Sequence, residues 1–167
     1  MILKVGILTI SDRAARQERE DLSGPALQNI VHEQDWQIEK LAVIPDEMEK
    51  IKNTLIYWCD DSRLNLILTT GGTGFTPRDI TPEATLQVIH RHTPGIAEAM
   101  RSEGFKKTPH AILSRSVAGI RGETLIVNLP GGTKAAIENL QVILPVIPHA
   151  IELLVGSSGA EKNHQIK

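Results

Sequence analysis

Leu64-Asn65-Leu66-Ile67-Leu68-Thr69-Thr70, running directly into Gly71-Gly72-Thr73-Gly74, is the stretch on which the reading of the fold rests. Its first half is a short apolar run, the pattern of a strand covered on both faces in a parallel sheet. Its second half stops that strand in a glycine turn. Three more runs share the strand character: Lys4–Ile10, Gln37–Ile44 and Thr124–Leu129. Helical patterns lie between them. Asp46-Glu47-Met48-Glu49 has the form of a capping box, followed by Met48, Ile51, Leu55 and Trp58 at helical spacing. Thr81-Pro82-Glu83 and Thr93-Pro94-Gly95 each place an N-cap residue before a proline. From Thr133 an apolar stripe runs through Ile137, Leu140, Leu144, Ile147, Ile151 and Leu154, with Pro145 and Pro148 expected to bend or break it. Alternating strands and helices predict a three-layer α/β/α sandwich with a mostly parallel central sheet.

Composition sets the outer bounds. The 167 residues suit one domain, 1–156, followed by a polar tail, 157–167, expected to fray. Hydrophobic residues at 41% and charged residues at 23% can build a core. The formal net charge of −2 lacks the basic excess of a general DNA binder, and 3% aromatics are too few for a base-stacking platform. No nucleic-acid partner is therefore expected. The single cysteine, Cys59, excludes an intramolecular disulfide framework and reads as a buried thiol. The apolar start, 1–8, lacks the flanks of a signal peptide, and no apolar run approaches the ~20 residues of a membrane span. A soluble cytoplasmic protein with no membrane partner is the expectation.

In open α/β sheets, ligands bind beyond the carboxyl ends of the strands. Four such junctions are chemically unusual: Ser11-Asp12-Arg13, Pro45-Asp46, the segment 69–79, and Asn128-Leu129-Pro130-Gly131-Gly132-Thr133. In the third, Gly71, Gly72 and Gly74 let backbone N–H groups approach an anion. Thr70, Thr73 and Thr76 add hydroxyls, and Arg78 supplies a cation suited to phosphate. Asp79 has the wrong sign for phosphate; it suits a divalent cation or orientation of a reacting group, or else simply lies near a helix N-terminus. Asp46 has two compatible readings, helix N-cap and carboxylate on the ligand edge. The loop 12–21 carries seven charges, as a solvated loop or as a cover over a ligand. The motif is neither a Walker nor a Rossmann fingerprint, and the six histidines are too scattered to predict a metal site.

These residues closely resemble the MogA-type molybdopterin-binding fold. The resemblance runs through Thr69 to Gly74 with Pro77-Arg78-Asp79-Ile80-Thr81-Pro82-Glu83-Ala84, Thr9-Ile10-Ser11-Asp12-Arg13, Asp21-Leu22-Ser23-Gly24-Pro25, Val43-Ile44-Pro45-Asp46, 114–122 and Val127-Asn128-Leu129-Pro130-Gly131. It implies molybdopterin adenylyltransferase activity, with ATP as co-substrate, Mg²⁺ as cofactor and a homotrimer. The family's acidic pair falls on Asp46 and Asp79, with Asp79 as the metal ligand. Its phosphate loop falls on Gly71 to Gly74, and Asn128, Pro130 and Gly131 line the nucleotide side. Ser11, Asp12, Thr70, Arg78 and Ser114 complete the implied binding set, while Arg115 and Arg121 are read as contributors or as surface or trimer contacts. Where family sequences often place a proline after Pro-Gly, this chain has Gly132-Thr133, which implies a looser loop. The alternatives are a non-catalytic molybdopterin-binding or scaffold module, or a MoaB-type relative.

Overall fold

The four apolar runs form the parallel part of one sheet. In this computed structural model, which describes residues 2–156, six strands occur. They are β1 (Lys4–Ile10), β2 (Gln37–Ile44), β3 (Leu66–Thr70), β4 (Arg91–His92), β5 (Ala118–Arg121) and β6 (Thr124–Leu129). The helices are α1 (Asp12–Ala15), α2 (Ser23–Glu33), α3 (Met48–Asp60), α4 (Thr81–Val88), α5 (Pro94–Phe105), α6 (Thr133–Ile143) and α7 (Ile147–Leu154). The strand order is β2-β1-β3-β6-β5-β4. The first four strands are parallel, whereas β5 runs antiparallel to β6 and β4 antiparallel to β5. With four and two residues, β5 and β4 are too short to leave a periodic signal, and the sequence reading missed both. The expected tail, 157–167, lies outside the described residues.

Period-two alternation sends successive strand residues to opposite faces, and each face carries its own core. Val5, Ile7, Leu66, Leu68, Leu125 and Val127 pack against α2, α5, α6 and α7. Leu8, Ile10, Ile67 and Ile126 pack against α3 and α4. These are the three layers expected. Because the α2 crossover covers one face and α3 the other, the chain reverses its direction of travel through the sheet between β1 and β3. A crevice opens at such a switch point, at the strands' carboxyl ends.

Two helix starts differ from the sequence reading. The N-cap of α3 is Glu47, not Asp46, and no capping box forms. Thr81 lies inside α4 behind Ile80, whereas α6 starts at Thr133 as read. The Asp46 side chain bonds instead to Asp12 in the loop after β1, and Thr81 to Gly71 at the far end of its own loop; those bonds replace the local caps. Thr93 does cap α5 by position, although its hydroxyl is buried without a partner among the described residues. Pro145 marks the break between α6 and α7, where Leu144–Val146 winds into a 3₁₀ turn. Taken whole, and contrary to the expectation that no apolar run approaches a membrane span, Thr133–Leu154 is long and apolar enough by length and composition to cross a membrane. Its stripe of Ala136, Leu140, Ile143, Ile147 and Ile151 is buried in the protein core.

Candidate active site at the glycine rim

The rim is built by making two glycine turns touch. Gly71 and Gly72 adopt φ of 102° and 65°, where side-chain-bearing residues are strained. The Gly71 N–H donates to the Leu129 carbonyl at 3.1 Å, and the Thr70 hydroxyl donates to the Pro130 carbonyl at 2.8 Å. A Cβ on Gly131 would stand 3.1 Å from the Gly71 Cα, so the turns after β3 and β6 meet backbone to backbone. On the other side Thr81 donates its hydroxyl to Gly71 O (2.9 Å) and its N–H to Gly72 O (3.0 Å). With their carbonyls tied back, both glycines are held rigidly against the crevice.

Two carboxylates flank this turn. Asp46, 8% exposed, accepts the Asp12 N–H at 2.9 Å, and Asp12 accepts the Asp46 N–H at 3.1 Å. This reciprocal pair fastens the loop after β1 to the loop after β2. Asp12 also takes both prongs of the Arg78 guanidinium, each at 2.9 Å. The cation expected to meet phosphate is thus engaged by Asp12. Asp79 accepts from the Thr76 N–H (2.8 Å) and hydroxyl (2.7 Å) through one oxygen, leaving Oδ1 outside that turn.

Burial holds the Asp46 carboxyl above its usual range, with the negative charges of Asp12 and Asp79 adding to the effect. The Arg78 hydrogen bond holds Asp12 below its own. The two linkages have opposite signs. Asp12, paired at the surface, adds a little stability above the unfolded carboxylate pKa and loses it as pH falls through its lowered value. Asp46 binds its proton more tightly in the folded chain, so its ionisation costs stability as pH rises from about 3.9 through its raised value. Asp46→Asn keeps an acceptor for the Asp12 N–H. Without added metal it is expected to be at least as stable as the parent at pH 7, with the gain vanishing below about pH 4. Thermal unfolding at both pH values checks this; a loss at pH 7 that disappears in acid would contradict it.

The crevice is an open cleft of about 270 Å³. Of the residues singled out in sequence, Ser11, Asp46, Thr70, Gly71, Gly72, Asp79 and Gly131 line it. Thr73, Gly74, Asp12, Arg78, Ser114 and Pro130 do not line it. Asn128 is fully buried, its amide donating to the Thr69 and Thr85 hydroxyls at 3.0 and 2.9 Å. Its chemistry is spent on joining β6, β3 and α4. Arg121 lies at the far edge of the sheet, bonded to Asp60 and to the Val88 carbonyl.

The rest of the wall includes Thr9, Leu22 and Ser23, which the sequence reading did not name for the site, with Arg19, Glu20 and Asp21 from the charged loop read as solvated or as a cover, and Gly132 and Thr133 from the fourth junction. Arg19 brings a cation from the charged loop. Asp21 accepts from Thr9 (2.6 Å), Ser23 (3.1 Å) and the Gly24 N–H (3.0 Å), so that loop is pinned to β1 and to the start of α2. The Asp21-x-x-Gly24 spacing is a legible capping signal; the exposed loop around Arg19 carries none. The N-terminus of α6 opens onto the cleft at Gly132 and Thr133, and a helix N-terminus attracts anions. An exposed cleft with a helix N-terminus, the Arg19 cation and the carboxylates of Glu20, Asp21, Asp46 and Asp79 on its wall suits a polyanion bridged by a divalent cation.

Residues 6–149 match the family described as "Probable molybdopterin binding domain". The chain is 43% identical over 159 residues to molybdopterin adenylyltransferase of Helicobacter pylori J99, covering 93% of this chain and 89% of that one. It is 48% identical over 160 residues to gephyrin of Dictyostelium discoideum, covering 90% of this chain but only 22% of that larger protein. The crystal structure of the molybdopterin biosynthesis enzyme MoaB from Thermus thermophilus is similar, with a TM-score of 0.89 and 49% identity. The match covers 93% of this chain and 98% of that one.

Proposed function

Since the chain belongs to the molybdopterin binding domain family, we propose that it is a molybdopterin adenylyltransferase acting in molybdenum cofactor biosynthesis. The reaction joins ATP and molybdopterin, giving adenylylated molybdopterin and pyrophosphate. The observation that carries this reading is the shared wall of the cleft, where the Gly71-Gly72 turn, the start of α6, Asp46 and Asp79 meet. In the reaction a terminal phosphate oxygen of molybdopterin bonds to the α-phosphorus of ATP. The bond from that phosphorus to the β-phosphate oxygen breaks, and pyrophosphate leaves. No covalent enzyme intermediate is required, so positioning and charge compensation account for catalysis.

Each part of the wall has a role in that transfer. Backbone N–H groups at the start of α6 offset phosphate charge, and the Gly71-Gly72 turn, free of side chains, lets the phosphates come close. The Ser11 hydroxyl already accepts from the Ala14 N–H at 3.2 Å, which leaves its own proton for a ligand oxygen. Arg19 adds a cation at the mouth, and Asp46 orients the attacking group. Among the described residues no three carboxylates, imidazoles or thiols gather into a metal cage. Two carboxylates on one wall nonetheless match Mg²⁺, which commonly takes one or two carboxylates and completes its shell with phosphate and water. Asp79, with Asp46 beside it, would hold the ion. When bound, Mg²⁺ supplies charge neutralisation for the converging phosphates. The homotrimer and the cytoplasmic setting belong to the same proposal; exposed Leu41, Val43 and Val146 offer apolar surface for self-association.

Incubating the protein with molybdopterin, ATP and Mg²⁺ and measuring pyrophosphate tests the reading. Tight molybdopterin binding without pyrophosphate would assign a non-adenylylating module instead. Arg19→Ala removes about 1 kcal/mol of exposed charge attraction and is expected to raise KM for one substrate roughly fivefold. Its kcat should stay close to the parent value. Unchanged KM values at low salt would take Arg19 out of the site.

A further inference from the structure

Arg115 lies outside the cleft yet holds the segment that carries Asp79. Its backbone N–H donates to the Thr73 carbonyl at 2.9 Å, and its Nε donates to the Gly74 carbonyl at 2.7 Å. The Nη2 donates to the Asp79 carbonyl, and the Nη1 to the Glu83 carboxylate. One guanidinium therefore spans both ends of the loop 74–79 and the first turn of α4. Nothing in the turn chemistry of that loop requires this. The Thr76–Asp79 bonds close it locally, while Arg115 sets where the closed loop stands relative to the sheet.

The anchor is itself anchored. From α5, Arg101 donates to the carbonyls of Ser114 (3.3 Å) and Ser116 (2.8 Å), on either side of Arg115. Glu83 directs one oxygen to Arg115, and its other oxygen is buried with no partner among the described residues. The carboxylate is thus committed to the arginine.

We propose that Arg115 is a positioning residue for adenylyl transfer: it fixes Asp79 against the cleft by bridging Gly74, Asp79 and Glu83. This rests on the reading of Asp79 as an acid of the adenylylation site. Only a planar fork reaches three acceptors at once, so lysine is not an equivalent. Small misplacements of a reacting constellation cost up to about 10²-fold in rate.

The test uses the full chain and pairs two arginines. Arg115→Lys is expected to lower kcat for pyrophosphate release about tenfold or more, with KM for ATP little changed. Amide exchange should quicken in residues 73–79 and not elsewhere. Arg115→Met/Glu83→Gln, which leaves no buried unpaired acid, should reproduce the kcat loss in a folded protein. Arg121→Met/Asp60→Asn, which removes a comparable tie at the far edge, should lower the melting temperature without changing kcat. Parent-like kcat in both Arg115 variants would overturn the proposal, as would an equal kcat loss in the Arg121 variant. If the parent itself releases no pyrophosphate, the functional reading fails separately. Exchange then decides the clamp: faster exchange confined to 73–79 upholds it, and unchanged exchange removes it.

Discussion

Asp79→Asn is expected to cut adenylylation turnover by about 10²- to 10³-fold while leaving the fold intact, the loss typical of removing one group that manages transition-state charge. The asparagine oxygen can still accept from the Thr76 N–H and hydroxyl, so the turn before α4 closes as before. What disappears is the negative charge, and with it a ligand for Mg²⁺. The signature is specific: single-turnover pyrophosphate release falls, the melting temperature moves little, and molybdopterin still binds. Raising Mg²⁺ should recover part of the rate if Asp46 can hold the ion alone. Parent-like single-turnover rates would remove Asp79 from the mechanism and return it to the role of a turn residue.

Gly71→Ala is expected to be the most damaging single substitution at the rim. Its φ of 102° lies in the region L side chains rarely adopt, a strain of about 1–3 kcal/mol. In addition, the new Cβ would collide with the Ile10 carbonyl, which is backbone and cannot rotate away. Relief requires moving the end of β1 or β3, and a shift of β3 opens the contact with Gly131. Both the urea midpoint and the activity should fall. Gly132→Ala is the matched control, with φ of −73° and no atom within 4 Å of the added methyl, and it should be near neutral. Equal unfolding midpoints for the two variants would show that the rim tolerates displacement, contrary to the packing described.

Much of this was legible in sequence. The runs Lys4–Ile10, Gln37–Ile44 and Thr124–Leu129 became strands with those bounds, because apolar β-rich segments between turn signals leave the backbone few alternatives. The glycine turn, the proline break after α6 and the placement of Ser11, Asp46 and Asp79 at strand ends were equally readable. Local caps were less reliable. Asp46 and Thr81 carried good N-cap signals, yet Asp46 gave its side chain to the loop after β1 and Thr81 gave its own to Gly71, at the other end of the loop that precedes it.

The division follows the range of the interactions. Residues near one another in the chain specified elements, their order and the rim on which the glycines and acids stand. Arg78 meeting Asp12 across 66 positions, Asn128 meeting Thr69 across 59, and Arg115 bridging to Gly74 across 41 leave no local trace. Their geometry exists only after the sheet has brought the loops together. Tertiary structure alone therefore decided which polar groups face the cleft and which are spent holding it open.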